Sequence, residues 1–250
     1  STLSSSSAAS DVYKRQIQNM MKNFFYILGV LPLFLVSCSK EEEENAIDPT
    51  IFNKNISVGE SCTINEVGSI SLETPNDFIV TINGNKITGN HSGALTSYCN
   101  TDKGRFKLSV TVSPNTTLYV DLAQFLGMSK SNVEKVFGKP IKTTSQHCVY
   151  APSGLEKETR FVYSGGKVTS CAIYFDSSYA STLGKHLADR YSLCYTQGNG
   201  ILYMDSYDID NAKTFVMVQT SLKTILVFYT NAENISPNKA ELSSLTISFQ

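Results

Sequence analysis

The sequence predicts a mostly β protein: a small β-sandwich followed by an α+β region in which a helix and an antiparallel strand meander occur in tandem. Three observations predict it. Tyr, Phe, Val, Ile and Thr are plentiful while Trp is absent and Gly moderate, a composition that fits pleated, half-buried surfaces better than long helices. Between residues 56 and 112, short apolar–polar alternations recur between turn signals spaced about 8–12 residues apart, the rhythm of a sandwich. Beyond Pro114, two stretches of helical spacing each precede a set of strand-like runs, which places helices against one antiparallel sheet.

In chain order, residues 45–55 read as a linker carrying Asp48-Pro49, and strand periodicity begins at Ile56. Ser61-Cys62-Thr63-Ile64 and Ser69-Ile70-Ser71-Leu72 alternate, and Phe78-Ile79-Val80-Thr81-Ile82 follows the turn-like Pro75-Asn76-Asp77. Asn83-Gly84-Asn85 reverses the chain into Lys86-Ile87-Thr88-Gly89, because Asn-Gly accepts the positive φ that tight hairpins need. Residues 94–99, a turn at Asp102-Lys103-Gly104 and a closing run over 105–112 complete the first region.

The stretch from Pro75 through Asn83-Gly84-Asn85 to Gly89, with Gly93-Ala94 and the 104–112 strand, resembles the group 2 bacterial Ig-like domain over about residues 51–114. The resemblance implies an Ig-like β-sandwich acting as a spacer or adhesion module on a surface protein. Cys99 departs from it, standing where the family usually has Thr or Val.

Past Ser113-Pro114-Asn115 the period changes. Residues 121–127 read as a short helix capped by Asp121 and stopped by Gly127. Ser131-Asn132-Val133-Glu134 has capping-box spacing, and Val133, Val136 and Phe137 share one face before Gly138 and Pro140 end the helix. Strands are expected around Cys148-Val149-Tyr150, over 159–163 and over 167–175, with Gly165-Gly166 as a hairpin turn. A second helix starts at Ser178, with Tyr179, Leu183, Leu187 and Tyr191 four apart, and strands over 201–205, 214–220 and 224–230 follow. Residues 127–140 are similar to the opening helix of small outer-membrane assembly lipoproteins and of the β-lactamase-inhibitor-like fold. That likeness implies an α+β binding scaffold over residues 115–250.

The N-terminal part speaks to location. Lys22 precedes an almost unbroken apolar run over 24–36, which ends in Leu35-Val36-Ser37-Cys38. An apolar core of about 7–15 residues behind a positive flank is a secretory signal rather than a membrane span. Its ending resembles the lipobox of bacterial lipoproteins, which implies that residues 21–37 are removed and that Cys38 receives the lipid. The run Ser39-Lys40-Glu41-Glu42-Glu43-Glu44 opens an acidic tether over 38–50, too charged to fold on its own. It looks like the export tag that sends some lipoproteins to the outer face of the outer membrane. Residues 1–20, dense in Ser and Ala, read as a non-native leader; 1–16 resemble translated sequencing-adapter sequence.

With 21 basic and 22 acidic residues, the chain is close to neutral. It lacks the clustered cations that neutralise phosphates, so nucleic acid is not an expected partner. Besides Cys38 there are five cysteines, Cys62, Cys99, Cys148, Cys171 and Cys194, an odd number that leaves one thiol over unless it pairs between chains. A Cys62–Cys99 bridge in the first region is the leading candidate. Cys148 and Cys171 fall in strands expected to be separated by a third.

No CxxC or Cys/His cluster suggests zinc, and no cofactor is implied. Of the three histidines, His91 lies in a loop, His186 in a helix, and His147 beside Cys148, where strand neighbours point to opposite faces and share a proton poorly. Asp205, Asp208 and Asp210 around Tyr207 read as a solvated turn rather than paired catalytic acids, and they lack the Gly and terminal Glu of a calcium loop.

The expected function is that of a non-catalytic cell-envelope lipoprotein, held to the membrane by its lipid and surface-exposed. Its Ig-like stalk would present an α+β domain that binds protein or glycan through Tyr150, Tyr163, Tyr174, Tyr203 and Tyr229. The competing readings are a surface hydrolase of cell-wall or dietary polymers and a periplasm-facing accessory of envelope assembly.

Overall fold

The computed structural model describes residues 51–234. The expected leader, signal peptide, Cys38 and the whole tether, like residues 235–250, lie outside them. The described chain is mostly β, with several sheets and few helices.

The first region is built from two small sheets around one core. Strands β1 (Ile51–Ser57), β7 (Gly104–Ser113), β6 (Gly93–Thr101) and β3 (Ser71–Leu72) form one sheet, and β2 (Ser61–Thr63), β5 (Lys86–Gly89) and β4 (Val80–Asn83) the other. Alternation sets the core: Phe106, Leu108, Val110 and Val112 of β7 point inward, meeting Ile56, Val80, Ile87 and Leu95. The Asn83-Gly84-Asn85 reversal forms as expected, with Gly84 at φ +63°.

Three expectations for this region change. The span 45–55 is not all linker: β1 begins at Ile51 and runs parallel to β7, with Ile56 buried beside Val112. Three apolar positions in seven gave too little alternation for a strand reading. Phe78 and Ile79 belong to the preceding turn, closed by the amides of Ile79 and Val80 on the Asn76 carbonyl at 3.1 and 3.0 Å. Finally, Cys62 and Cys99 are both free thiols. They sit on different sheets; Cys99 is fully buried and its Sγ turns to the Ser97 carbonyl of its own strand at 3.8 Å, while Cys62 packs at the margin of the core.

The second region is one antiparallel sheet of eight strands. They are β8 (Lys142–Thr143), β9 (His147–Tyr150), β10 (Glu158–Ser164), β11 (Lys167–Asp176), β12 (Ser192–Gln197), β13 (Gly200–Met204), β14 (Thr214–Thr220) and β15 (Thr224–Asn231). Their spatial order is β12-β13-β14-β15-β11-β10-β9-β8. Two four-strand meanders therefore meet at their last strands, β11 against β15. Each follows a helix: α1 (Lys130–Phe137), itself preceded by a 3-10 turn over Leu122–Phe125, and α2 (Ala180–Ala188).

Both helices pack on the same face. Val133 and Phe137 of α1 and Leu183 and Leu187 of α2 join Tyr150, Phe161, Phe175, Val216, Val227 and Tyr229 from the sheet. Phe161 is at the centre, its ring set edge-on to Phe125, Phe137 and Tyr150 with centroids 5.2–5.7 Å away. Cys148 and Cys171 lie opposite Phe161 on either side, one strand apart from it, as the strand spacing predicts.

Two details were misjudged. The cap of α1 is Ser129, two residues before the expected capping box; its hydroxyl bonds Ser131 Oγ at 3.0 Å rather than the helix amides. Strands β8 and β12 were missed. β8 is only two residues long, and β12 follows α2 so closely that its start was absorbed into the helical pattern ending at Tyr191.

Candidate binding face

Because residues alternate across a strand, the face opposite the helices is specified by the other half of the same sequences. Register makes it readable. One row crosses seven strands: Val149, Arg160, Ala172, Phe228, Met217, Leu202 and Tyr195 stand side by side. The adjacent row runs Glu158, Tyr174, Leu226, Gln219 and Gly200. No described helix packs on these rows. Val149, Ala172 and Leu202 are buried, Tyr174, Leu226, Phe228 and Met217 are half-buried and Tyr195 is exposed, so apolar and aromatic area reaches solvent at Tyr174, Leu226 and Tyr195.

Its polar group is also defined. Arg160 bonds the Glu158 carboxylate through Nε and lays its guanidinium over the Tyr174 ring, 4.9 Å from the centroid. This fixes the charge beside the small side chain of Ala172. Towards one end the face is closed by the loop after β13, whose Ala212, with Ala232 and Cys194, packs on Leu202, Met204 and Phe215.

Of the five tyrosines expected to supply contact area, the structure divides the set. Tyr150 and Tyr229 are fully buried under the helices. Tyr163 bonds Tyr150 hydroxyl to hydroxyl at 3.2 Å on that same side, and Tyr203 packs there too. Tyr174 alone of the five lies on the open face.

The titratable groups with the largest shifts belong to the covered side. Burial raises the Asp121 carboxyl above its ordinary range; both its oxygens accept from Tyr191 Oη, at 2.8 and 2.7 Å, and Oδ1 from the Ala123 amide. Tyr119 and Tyr229 join hydroxyls nearby. His186 Nδ1 accepts from the Leu118 amide at 3.1 Å, so its proton sits on Nε2, a buried donor without a partner. Burial, with the Arg190 charge next, depresses His186 to about 3. These groups tie the segment before α1 to α2 and the sheet; Tyr119, His186, Tyr191 and Tyr229 are buried and Asp121 is partly so.

The other candidates resolve as braces. His147 reaches Thr144 Oγ1 at 3.2 Å, while Cys148 turns to the opposite face towards Thr143. Asp205 Oδ1 accepts from the Lys213 and Thr214 amides at 2.8 and 3.0 Å, and Asp208 accepts from the Asp210 amide and Asn211 Nδ2. Among the described residues, no group of three or more His, Cys, Asp or Glu is placed to hold a metal ion.

His91 has a different place. It stacks on Phe78 at 4.1 Å, its Nδ1 against the Phe78 carbonyl at 2.8 Å, and Tyr207 of the second region leans on both rings. With Ser92 N on the Asp189 carbonyl at 2.7 Å, this forms the joint between the two regions.

No family model matches the chain, and no curated protein matches it. Among solved structures, an extracellular protein containing an SCP domain, from Bacillus anthracis str. Ames, is similar at 12% identity and a TM-score of 0.27, with 49% of this chain and 50% of that chain covered. The chain thus spans about half of that protein's length, and a likeness of this size carries no argument.

Proposed function

We propose that the protein is a non-catalytic lipoprotein of the cell envelope, anchored through Cys38 in the outer membrane and displayed at the cell surface. In this reading residues 51–114 are an Ig-like sandwich serving as a stalk, and the α+β domain that follows binds a protein or glycan. The anchor half is supported by the apolar run ending in Cys38 and the acidic tether behind it. The single observation that carries the binding half is the open row Glu158, Tyr174, Leu226 and Gln219, with the Arg160 guanidinium held over the Tyr174 ring. Sugars and peptides both present CH-rich faces that pack on such aromatic and aliphatic surface, and a fixed cation such as Arg160 orients them.

Two experiments test the two halves. Intact-mass measurement of the mature N-terminus is expected to find Cys38 carrying acyl chains, a product lost on globomycin treatment and in Cys38→Ala; maturation without acyl mass overturns the anchor. Glycan-array and pull-down screening of the full chain is expected to yield a ligand that Tyr174→Ala and Leu226→Ser lose while remaining folded. A ligand retained undiminished by both variants removes the open row from the account.

A further inference from the structure

The eight-stranded sheet ends differently on its two sides. One edge, β8, is two residues long and carries Lys142, a short charged edge of the kind that resists further pairing. The other, β12, is six residues long, reads SLCYTQ without a charge or a proline, and pairs with β13 alone among the described strands. Two of the exposed large apolar side chains lie on it, Leu193 at 57% and Tyr195 at 44%. We infer that β12 is a self-association edge, at which two copies of this chain pair antiparallel about a two-fold axis and join their sheets.

The bulge in β12 sets the register. Leu193 stands opposite Tyr203 and Tyr195 opposite Leu202, with Cys194 the extra residue between them. Tyr203 faces the helices and Leu202 the open side, and Cys194 packs with Leu202 and Met204. Cys194 and Tyr195 therefore lie successively on the open side. A two-fold axis between these two residues keeps like faces together: Leu193 meets the partner's Thr196 on the helix side, and Cys194 meets the partner's Tyr195 on the other.

A second copy is favoured over an unrelated strand because the two-fold sets the residues nearest the axis, Cys194 and Tyr195, beside their own duplicates. A charge in β12 would repel itself across the axis, and β12 has none. The ladder is short, below the standard ~800 Å² per partner, so the dimer is weak and concentration-dependent. This inference stands apart from the ligand reading of the open row and survives its failure.

Sedimentation equilibrium of the full chain over a wide concentration range tests it. The chain is expected to dimerise reversibly, and Thr196→Lys, at an exposed position, to weaken association by about tenfold or more by setting a charge against the partner's Leu193. In a Cys38→Ser, Cys62→Ser background, a short bismaleimide is expected to join two copies through Cys194, and not in Cys194→Ser. The cross-link decides the matter should Thr196→Lys fail to fold. A chain that is monomeric throughout, association untouched in folded Thr196→Lys, or no cross-link through Cys194 overturns the inference; capture of a foreign strand by an otherwise monomeric chain does so as well.

Discussion

The two faces of the eight-stranded sheet are written in the same strands and have opposite fates. On one, Tyr150, Phe161, Phe175 and Tyr229 are wholly enclosed by the helices, and even the polar groups there, Asp121, Tyr191 and His186, act inside the fold. On the other, Phe228, Met217 and Tyr174 keep part of their surface in solvent, and the side chains of the charged pair Arg160–Glu158 are 26% and 31% exposed. Apolar area alone does not separate the faces. What separates them is that, among the described residues, both helices pack on one face and none on the other, where Tyr174 and Tyr195 keep area for a partner.

The contrast predicts a ranked set of effects. Phe161→Ala empties the centre of the covered side and is expected to cost about 3–5 kcal/mol in denaturant unfolding; a cost under about 1 kcal/mol would mean that this face is not the core.

Acid acts on the covered side in two opposed ways. The folded pKa of His186, about 3, lies below its ordinary 6.5. Its contribution is therefore complete above pH 6.5 and is lost as pH falls towards 3, by at most about 5 kcal/mol. Asp121 is shifted upward by burial, so the folded chain takes up that proton first, and this group gains stability as pH falls through its raised value. Thermal unfolding against pH is expected to show a shallower acid loss in His186→Gln and a steeper one in Asp121→Asn; identical profiles in both variants would contradict the buried placement.

On the open side, Tyr195→Ala should change stability by less than about 1 kcal/mol. Leu222→Ser, at a turn position 98% exposed, is expected to lie within about 0.5 kcal/mol of the parent. A large loss at Tyr195 would show that something covers this face after all.

How much of this could be read from the sequence follows from where the signals reside. Gly84 and Gly165-Gly166 announced their hairpins because positive φ is a local demand. The helix faces of Val133–Phe137 and Leu183–Leu187 were legible because their period is local too. The pairing of β1 with β7 was not, since it joins residues more than fifty apart in the chain and leaves only Ile56 fully buried.

The open row had a signal that went unused. Ile225, Leu226, Val227, Phe228 and Tyr229 are apolar without alternation, which means apolar side chains on both faces of the strand. Tyrosine counting could not do as well, because a tyrosine suits a buried hydroxyl pair such as Tyr150–Tyr163 as readily as an exposed platform.

Hydroxyl-radical footprinting of the full chain compares the two faces within one molecule. The account predicts that Met217, Tyr174 and Tyr195 are modified several-fold faster than Tyr150, Phe161 and Tyr229, and that a bound ligand slows the first group only. Equal protection of both groups in the free protein would contradict it.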